Sequence, residues 1–270
     1  MGHDKLRKFA ENKTFSCLLQ PDAESVLDRS VPDTGLHLRP HPVQGHWNER
    51  MFDASRPIVL ELGCGKGDYT IALAERHPEC NYIGVDIKGA RLWKGAKYAT
   101  EHALGNVAFL RTRIEFISAF FAPGEVSGIW LTFSDPQMKS ENSRLTSPLF
   151  LERYRGFLAP GGRVHLKTDS RFLYEYSLAT ARANGLTILS SDTDIYAHPG
   201  IPGFPPDLLT VQTFYERMFL EMGLPITYLS FLLDHDGPFV YPDFDVTYWR
   251  NAEGPRRSFS HQPRKKSLSL

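Results

Sequence analysis

Residues Val59 to Pro78 read VLELGCGKGDYTIALAERHP, an apolar run, three glycines and then a helix-periodic segment. The glycines Gly63, Gly65 and Gly67 give G-x-G-x-G. A dinucleotide fingerprint is G-x-G-x-x-G, and Asp68 stands where its third glycine belongs. A phosphate loop follows its last glycine with Lys and then Ser or Thr, whereas Lys66 precedes Gly67. Glu61 and Asp68 make the turn acidic, which repels pyrophosphate and suits a cation. S-adenosylmethionine carries both a sulfonium and an ammonium group. Glycines let the backbone approach such a ligand, and a carboxylate offsets its charge. The bland alternative is a tight strand-to-helix turn with solvated acids. Asp86 weighs against it, because it ends the next strand at the spacing where an acid takes ribose hydroxyls.

Outward from this turn, strand and helix patterns alternate. PIVLEL, NYIGVDI, NVAFL, VSGIWLTF and RVHLKT are short apolar strands. DYTIALAERH, ARLWKGAKYATEHA, IEFISAFF and SPLFLERYRGFL lie between them with helical periodicity. Such alternation specifies an α/β fold with a mostly parallel sheet covered on both faces. LTILSSD and ITYLSFLL add two further strand candidates. Residues 1–56 read as an irregular N-terminal arm opened by a basic helix, DKLRKFAEN. Residues 57–235 form the ordered domain. Residues 236–270 are a C-terminal extension, basic and expected to be disordered from about residue 251.

Composition narrows the class. The chain has 270 residues, with 31 Lys plus Arg balancing 31 Asp plus Glu, so any nucleic-acid partner needs cations segregated onto one face. Cys17, Cys64 and Cys80 have no disulfide or zinc spacing. No stretch approaches the ~18 apolar residues of a membrane span, and no leader is visible, so a cytoplasmic protein is expected, without membrane or metal partners. Open parallel sheets bind ligands at the carboxyl ends of strands. Asp135 follows strand VSGIWLTF and Asp169 follows RVHLKT, so both belong in the same crevice as Asp86. Each alone is an ordinary turn or cap residue; two at adjacent strand ends favour function.

Five motifs in this order, ELGCGKG, YIGVDIK, FSDPQMK, HLKTD and TFYE at Thr213 to Glu216, resemble those of the bacterial tRNA (guanine-N7)-methyltransferases. The likeness runs from about Ile58 to Leu233. It implies a seven-stranded class I methyltransferase fold, Rossmann-like, with S-adenosylmethionine as cofactor. It implies that Glu61, Gly63, Gly65, Asp86, Arg113 and Asp135 meet the cofactor, with Asp135 as the active-site acid. Lys139, Asp169, Thr213, Phe214, Tyr215 and Glu216 are implied to meet tRNA, at guanine-46 of its variable loop. The chain departs from the family's usual F-P-D-P-W-x-K wording, with Ser134 for Pro and Gln137 for Trp. Of the basic cluster that follows, Lys139 and Arg144 remain. Arg113 stands where the family has Asp or Asn at the adenine end, and an arginine cannot accept a hydrogen bond from the adenine amino group.

The chemistry is consistent with these residues. Guanine N7 carries a lone pair and no proton, so its methylation needs no general base, only alignment and exclusion of water. A carboxylate can stabilise the cationic product. Another can accept both N1–H and the amino group of guanine; Asp169 and Glu216 are the candidates. Lys88, Arg91, Lys94 and Lys97 recur every three residues as a possible basic stripe, and Arg256, Arg257, Arg264, Lys265 and Lys266 add cations in the tail. The rival readings are a methyltransferase acting on a small molecule or protein, and a non-catalytic RNA- or nucleotide-binding module. Either a monomer or a homodimer is compatible with the sequence.

Overall fold

The computed structural model describes residues 2–200 and 204–257. Its centre is a sheet of eight strands, β1 Leu18–Leu19, β2 Ile58–Leu62, β3 Asn81–Asp86, β4 Val107–Arg111, β5 Val126–Thr132, β6 Leu158–Thr168, β7 Ile188–Asp192 and β8 Thr227–Leu232. Their order is β1-β4-β3-β2-β5-β6-β8-β7. Strands β1 to β6 pair in parallel, and β8 runs antiparallel to both β6 and β7. The expected seven strands are all present, and β1 adds two residues at one edge. All six residues of β3 are buried, as they must be in a parallel strand with helices on both faces.

The helices are α1 Gly2–Asn12, α2 Trp47–Arg50, α3 Asp68–Arg76, α4 Gly89–Glu101, α5 Pro148–Arg155, α6 Arg171–Ala183, α7 Phe214–Glu221 and α8 Val246–Arg257. From β2 the chain winds one way through β3 to β4, then returns to place β5 on the other side of β2. The crevice at such a reversal is where open α/β sheets take ligands. It lies beside the glycine turn.

Three segments differ from the sequence reading. IEFISAFF forms a short 3-10 helix over Ile114–Ala119. Phe116, Ile117, Phe120 and Phe121 are all buried, while Ile114, Glu115 and Ser118 are partly exposed. The N-terminal arm begins with the expected helix but is built into the domain. Asn12 Nδ2 donates to the Gly89 carbonyl at 2.9 Å, and Trp93 Nε1 donates to Glu11 Oε2 at 2.6 Å, which docks α1 on α4. Trp47 is fully buried, its indole N–H donates to the Phe120 carbonyl at 2.8 Å, and its ring stacks on Phe121 at 5.2 Å. The tail differs as well: α8 carries regular structure through Arg257, past the residue where disorder was expected. Arg264, Lys265 and Lys266 lie outside the described residues.

Gly95 shows how closely α4 packs on the ligand turn. A Cβ there would lie 2.6 Å from Phe109 Cζ and 2.8 Å from the Lys66 carbonyl oxygen. In an exposed helix Gly→Ala gains about 1 kcal/mol; overpacking against backbone costs about 1–3 kcal/mol. Sterics therefore win, and Gly95→Ala is expected to lower the urea midpoint. A midpoint equal to or above that of the parent would show that the turn yields without cost.

Candidate active site at the carboxyl ends of the strands

The glycine turn leaves β2 with φ of 82°, 60° and 77° at Gly63, Gly65 and Gly67. This is the left-handed region, which glycine occupies without steric cost. The Gly63 and Cys64 N–H groups donate to the Val85 carbonyl at 2.8 and 3.0 Å, which ties the turn to β3. A Cβ added at Gly63 or Gly65 would have nothing within 4 Å, while one at Gly67 would strike Phe109 Cε1 at 2.5 Å. The first two glycines thus leave room for a ligand, and the third serves packing.

Asp86 accepts the Gly65 N–H at 3.0 Å and the Lys88 N–H at 2.7 Å, one on each carboxylate oxygen. A carboxylate offers about four acceptor positions, so two remain for hydroxyls. Glu61 lies beneath the turn, 4% exposed. It accepts the Thr70 N–H at 2.9 Å and the hydroxyls of Thr70 and Thr132. It also borders a narrow recess of about 110 Å³, shared with Gly65, Asp68 and Tyr215. Burial pushes its carboxyl up to about 7, against the opposing pull of the two threonines.

Beyond the turn opens a cleft of about 1200 Å³, bordered by Gly63, Asp86, Arg113, Asp135, Asp169 and Tyr215. Five strand ends, those of β2 to β6, contribute to it. The Arg113 side chain is half exposed, 3.4 Å from Glu115 and lying over the Phe116 ring at 5.6 Å. Asp135 is exposed and accepts the Gln137 N–H at 2.9 Å. Phe133 and Gln137 on either side have φ of 50° and 48°. Two left-handed non-glycine residues around one acid mark a strained loop of the sort found at functional sites. Lys139 is exposed farther along this loop. Arg144 is internal, 1% exposed, with its guanidinium 4.8 Å from the Phe172 ring and 4.3 Å from that of Tyr176. It therefore offers no charge to a ligand.

The TFYE stretch begins α7. Thr213 Oγ1 accepts the Glu216 N–H at 3.1 Å, and Glu216 Oε2 accepts the Thr213 N–H at 3.3 Å, a reciprocal cap. The other Glu216 oxygen lies 2.7 Å from Lys167 Nζ and accepts the Tyr196 hydroxyl at 2.8 Å. Both Lys167 and Glu216 side chains have 0% exposure. Lys167 further donates to the carbonyls of Leu208 and Val211. Burial lowers the Lys167 pKa, and the Glu216 charge opposes that shift. Of the two acids weighed for the guanine edge, Asp169 borders the cleft and Glu216 is enclosed among structural partners. Phe214 and Tyr215 are exposed, and Lys66 sits 5.3 Å over the Phe214 ring. The basic stripe divides: Lys88 and Arg91 border the cleft, while Lys94 pairs with Asp68 at 2.8 Å and Lys97 with Glu101 at 3.6 Å.

Sequence reasoning passed over Lys167, although a lysine inside an apolar strand was itself a signal. It also passed over Trp249 and Glu253 of α8, which border the cleft.

A family described as "Putative methyltransferase" matches residues 55–226. The tRNA (guanine-N(7)-)-methyltransferase of Bacteroides fragilis is 44% identical over 246 residues, covering 91% of this chain and 92% of that protein. The chain belongs to this methyltransferase family. The enzyme of the same name from Bacteroides thetaiotaomicron is 42% identical, covering 98% of this chain and 97% of its own length. Among solved structures, the 16S rRNA methyltransferase KamB superimposes with a TM-score of 0.52 at 15% identity, over 77% of this chain and 97% of that one. That likeness speaks to the fold alone. Among the described residues no helix is long and apolar enough to cross a membrane, and no cluster of metal-ligating side chains occurs.

The raised pKa of Glu61 has a measurable consequence. The folded carboxyl holds its proton up to about pH 7, whereas an unfolded glutamate releases it near pH 4.3. The stability from this group is complete below the unfolded pKa and is lost as pH rises through the folded one. Glu61→Gln keeps the hydrogen-bonding partners but cannot ionise. Relative to the parent, the variant is expected to gain about 3 kcal/mol between pH 4 and pH 8. Urea titrations across that range measure it, and a difference independent of pH would show that the Glu61 carboxyl titrates alike in the folded and unfolded states.

Proposed function

We propose that this chain transfers the methyl group of S-adenosylmethionine to N7 of a guanine in tRNA, guanine-46 of the variable loop, in the cytoplasm. The reading is carried by one juxtaposition. Asp86, Asp135 and Asp169, from three strand ends, border a single cleft that opens from an acidic glycine turn. Family membership supplies the substrate class, since relatives of this length and identity bear the tRNA (guanine-N(7)-)-methyltransferase name.

When bound, S-adenosylmethionine supplies an activated methyl group on a positively charged sulfur. The residues around it fit that molecule. Gly63 and Gly65 leave space for close backbone approach. Glu61 and Asp68, at the recess beneath the turn, face its cationic end, and a cation there pulls Glu61 toward its ionised form. Asp86 takes the ribose hydroxyls. At the adenine end the Arg113 side chain has only donors, so a backbone carbonyl of the 112–114 segment receives the adenine amino group.

The guanine then enters from the β6 side of the cleft. Asp169 accepts its N1–H and amino group, which orients N7 inward. Asp135 stands at the strained loop between cofactor and base, where its charge stabilises the positive charge that develops on the base. Nothing in the reaction requires proton abstraction at N7, and orientation supplies most of the rate. Lys139, exposed on the same loop, meets a phosphate, with Lys88 and Arg91 at the opposite rim. Thr213, Phe214 and Tyr215 form the wall on the turn side.

Incubation of the protein with isotopically labelled S-adenosylmethionine and an unmodified tRNA transcript tests this reading. Mass spectrometry of the digested tRNA is expected to show labelled 7-methylguanosine, absent when the variable-loop guanine is replaced by adenine. Label in other nucleosides only, or in protein or small metabolites with none in tRNA, would overturn it.

A further inference from the structure

The chain continues past β8 into α8, and α8 returns to the cleft. Two bonds fix it there. Glu253 is 8% exposed and accepts the Phe172 N–H in the first turn of α6 at 2.5 Å, where a carboxylate also meets the positive end of the helix dipole. Arg250 Nη2 donates to the Met138 carbonyl at 2.8 Å, in the loop that carries Asp135. The helix therefore bridges the two strand-end loops that bear Asp135 and Asp169. Immediately before those anchors, Trp249 borders the cleft with a half-buried ring, with Phe244 parallel to it at 6.4 Å and Tyr248 edge-on at 5.1 Å.

The position of this ring is informative. Tyr215 borders both the recess beneath the glycine turn and the cleft. Trp249 borders the cleft alone, in company with Asp169, Arg171 and Thr227 on the β6–β8 side. Its helix is tied to the loop after Asp135 and to the first turn of α6 after Asp169, which puts it on the side where the guanine is proposed to bind. A carboxylate that accepts from the edge of guanine fixes the base in its plane but not above or below it. An aromatic ring beside that carboxylate supplies the missing restraint.

We propose that α8 is a wall of the guanine pocket and that Trp249 is a substrate-positioning residue, the plane on which the target base stacks. The inference rests on the tRNA reading above. Glu253 and Arg250 hold the ring in place, one through α6 and the other through the Asp135 loop.

Substitution of Trp249 in the full-length protein tests it. Base–aromatic stacking removed by substitution corresponds to about a 10- to 100-fold loss. Trp249→Ala and Trp249→Leu are expected to lower kcat/KM for tRNA by that amount and to weaken tRNA binding in a filter or anisotropy assay. S-adenosylmethionine affinity by calorimetry should stay within about twofold, because the ring does not border the recess at the glycine turn. Trp249→Phe is expected to recover most of the loss. Leucine fills the space without a π-face, so a Trp249→Leu variant as active as Trp249→Phe would reduce the role to packing and overturn the proposal. So would unchanged tRNA kinetics in both the Ala and Leu variants. Faster turnover in them would identify α8 as an obstructing lid. If the parent protein makes no 7-methylguanosine, the tRNA reading itself falls and takes this inference with it; an active parent with indifferent Trp249 variants defeats the inference alone.

Discussion

The ion pair between Lys167 and Glu216 is the constraint on which the cleft depends. Both groups are wholly buried and 2.7 Å apart. Leaving either one alone in the interior costs about 3–5 kcal/mol, so the pair commits three pieces of chain to one arrangement. Lys167 belongs to the end of β6, Glu216 to the first turn of α7, and the carbonyls of Leu208 and Val211 to the loop between them. Tyr196 and the Thr213 cap complete the partners of Glu216. The residues leading into α7 are thereby pinned against a central strand. Tyr215, one residue before Glu216, is held where the recess meets the cleft.

The same economy appears around Glu61. Its carboxylate joins β2 to the start of α3 through Thr70 and to the end of β5 through Thr132. It locks the glycine turn from below and lends acidity to the recess above. Asp86 likewise holds the turn through Gly65 while keeping acceptor positions for a ligand. On the proposed reading, acids at this site are both scaffold and binding group. This suits a reaction in which the protein aligns two reactants and stabilises charge but moves no proton at the reacting atom.

Local signals made much of this legible from sequence. Buried parallel strands are short apolar runs, and the helices between them carry a 3.6-residue period, so the central strands and the crevice could be read from Ile58 to Thr168. The G-x-G-x-G turn followed by Asp68 pointed to a cation site because glycine and charge have local meaning. What escaped depends on contacts distant in sequence. Trp47 is core because Phe120 and Phe121 lie against it, and nothing near residue 47 announces that. Glu216 reads as a candidate for the guanine edge until Lys167, 49 positions earlier, is seen to pair with it. Arg144 reads as an RNA-facing cation until Phe172 and Tyr176 are found beneath it. Helix α8 has a polar, basic composition, and only Glu253 and Arg250, through partners in α6 and the Asp135 loop, give it a fixed place.

The division of labour between the two acids at the guanine side can be measured directly. Asp169→Asn and Glu216→Gln should be compared for thermal midpoint and for kcat/KM with tRNA at saturating cofactor, well below either midpoint. Asp169→Asn is expected to lose about 10- to 100-fold in kcat/KM while folded, the value of hydrogen bonds to a charged group. Glu216→Gln is expected to melt at a clearly lower temperature, with kcat/KM within about threefold of the parent while folded, because its partners are structural. The reverse pattern, a stable Glu216→Gln protein without activity beside a fully active Asp169→Asn protein, would contradict the assignment of Lys167–Glu216 as scaffold and Asp169 as the reader of the base.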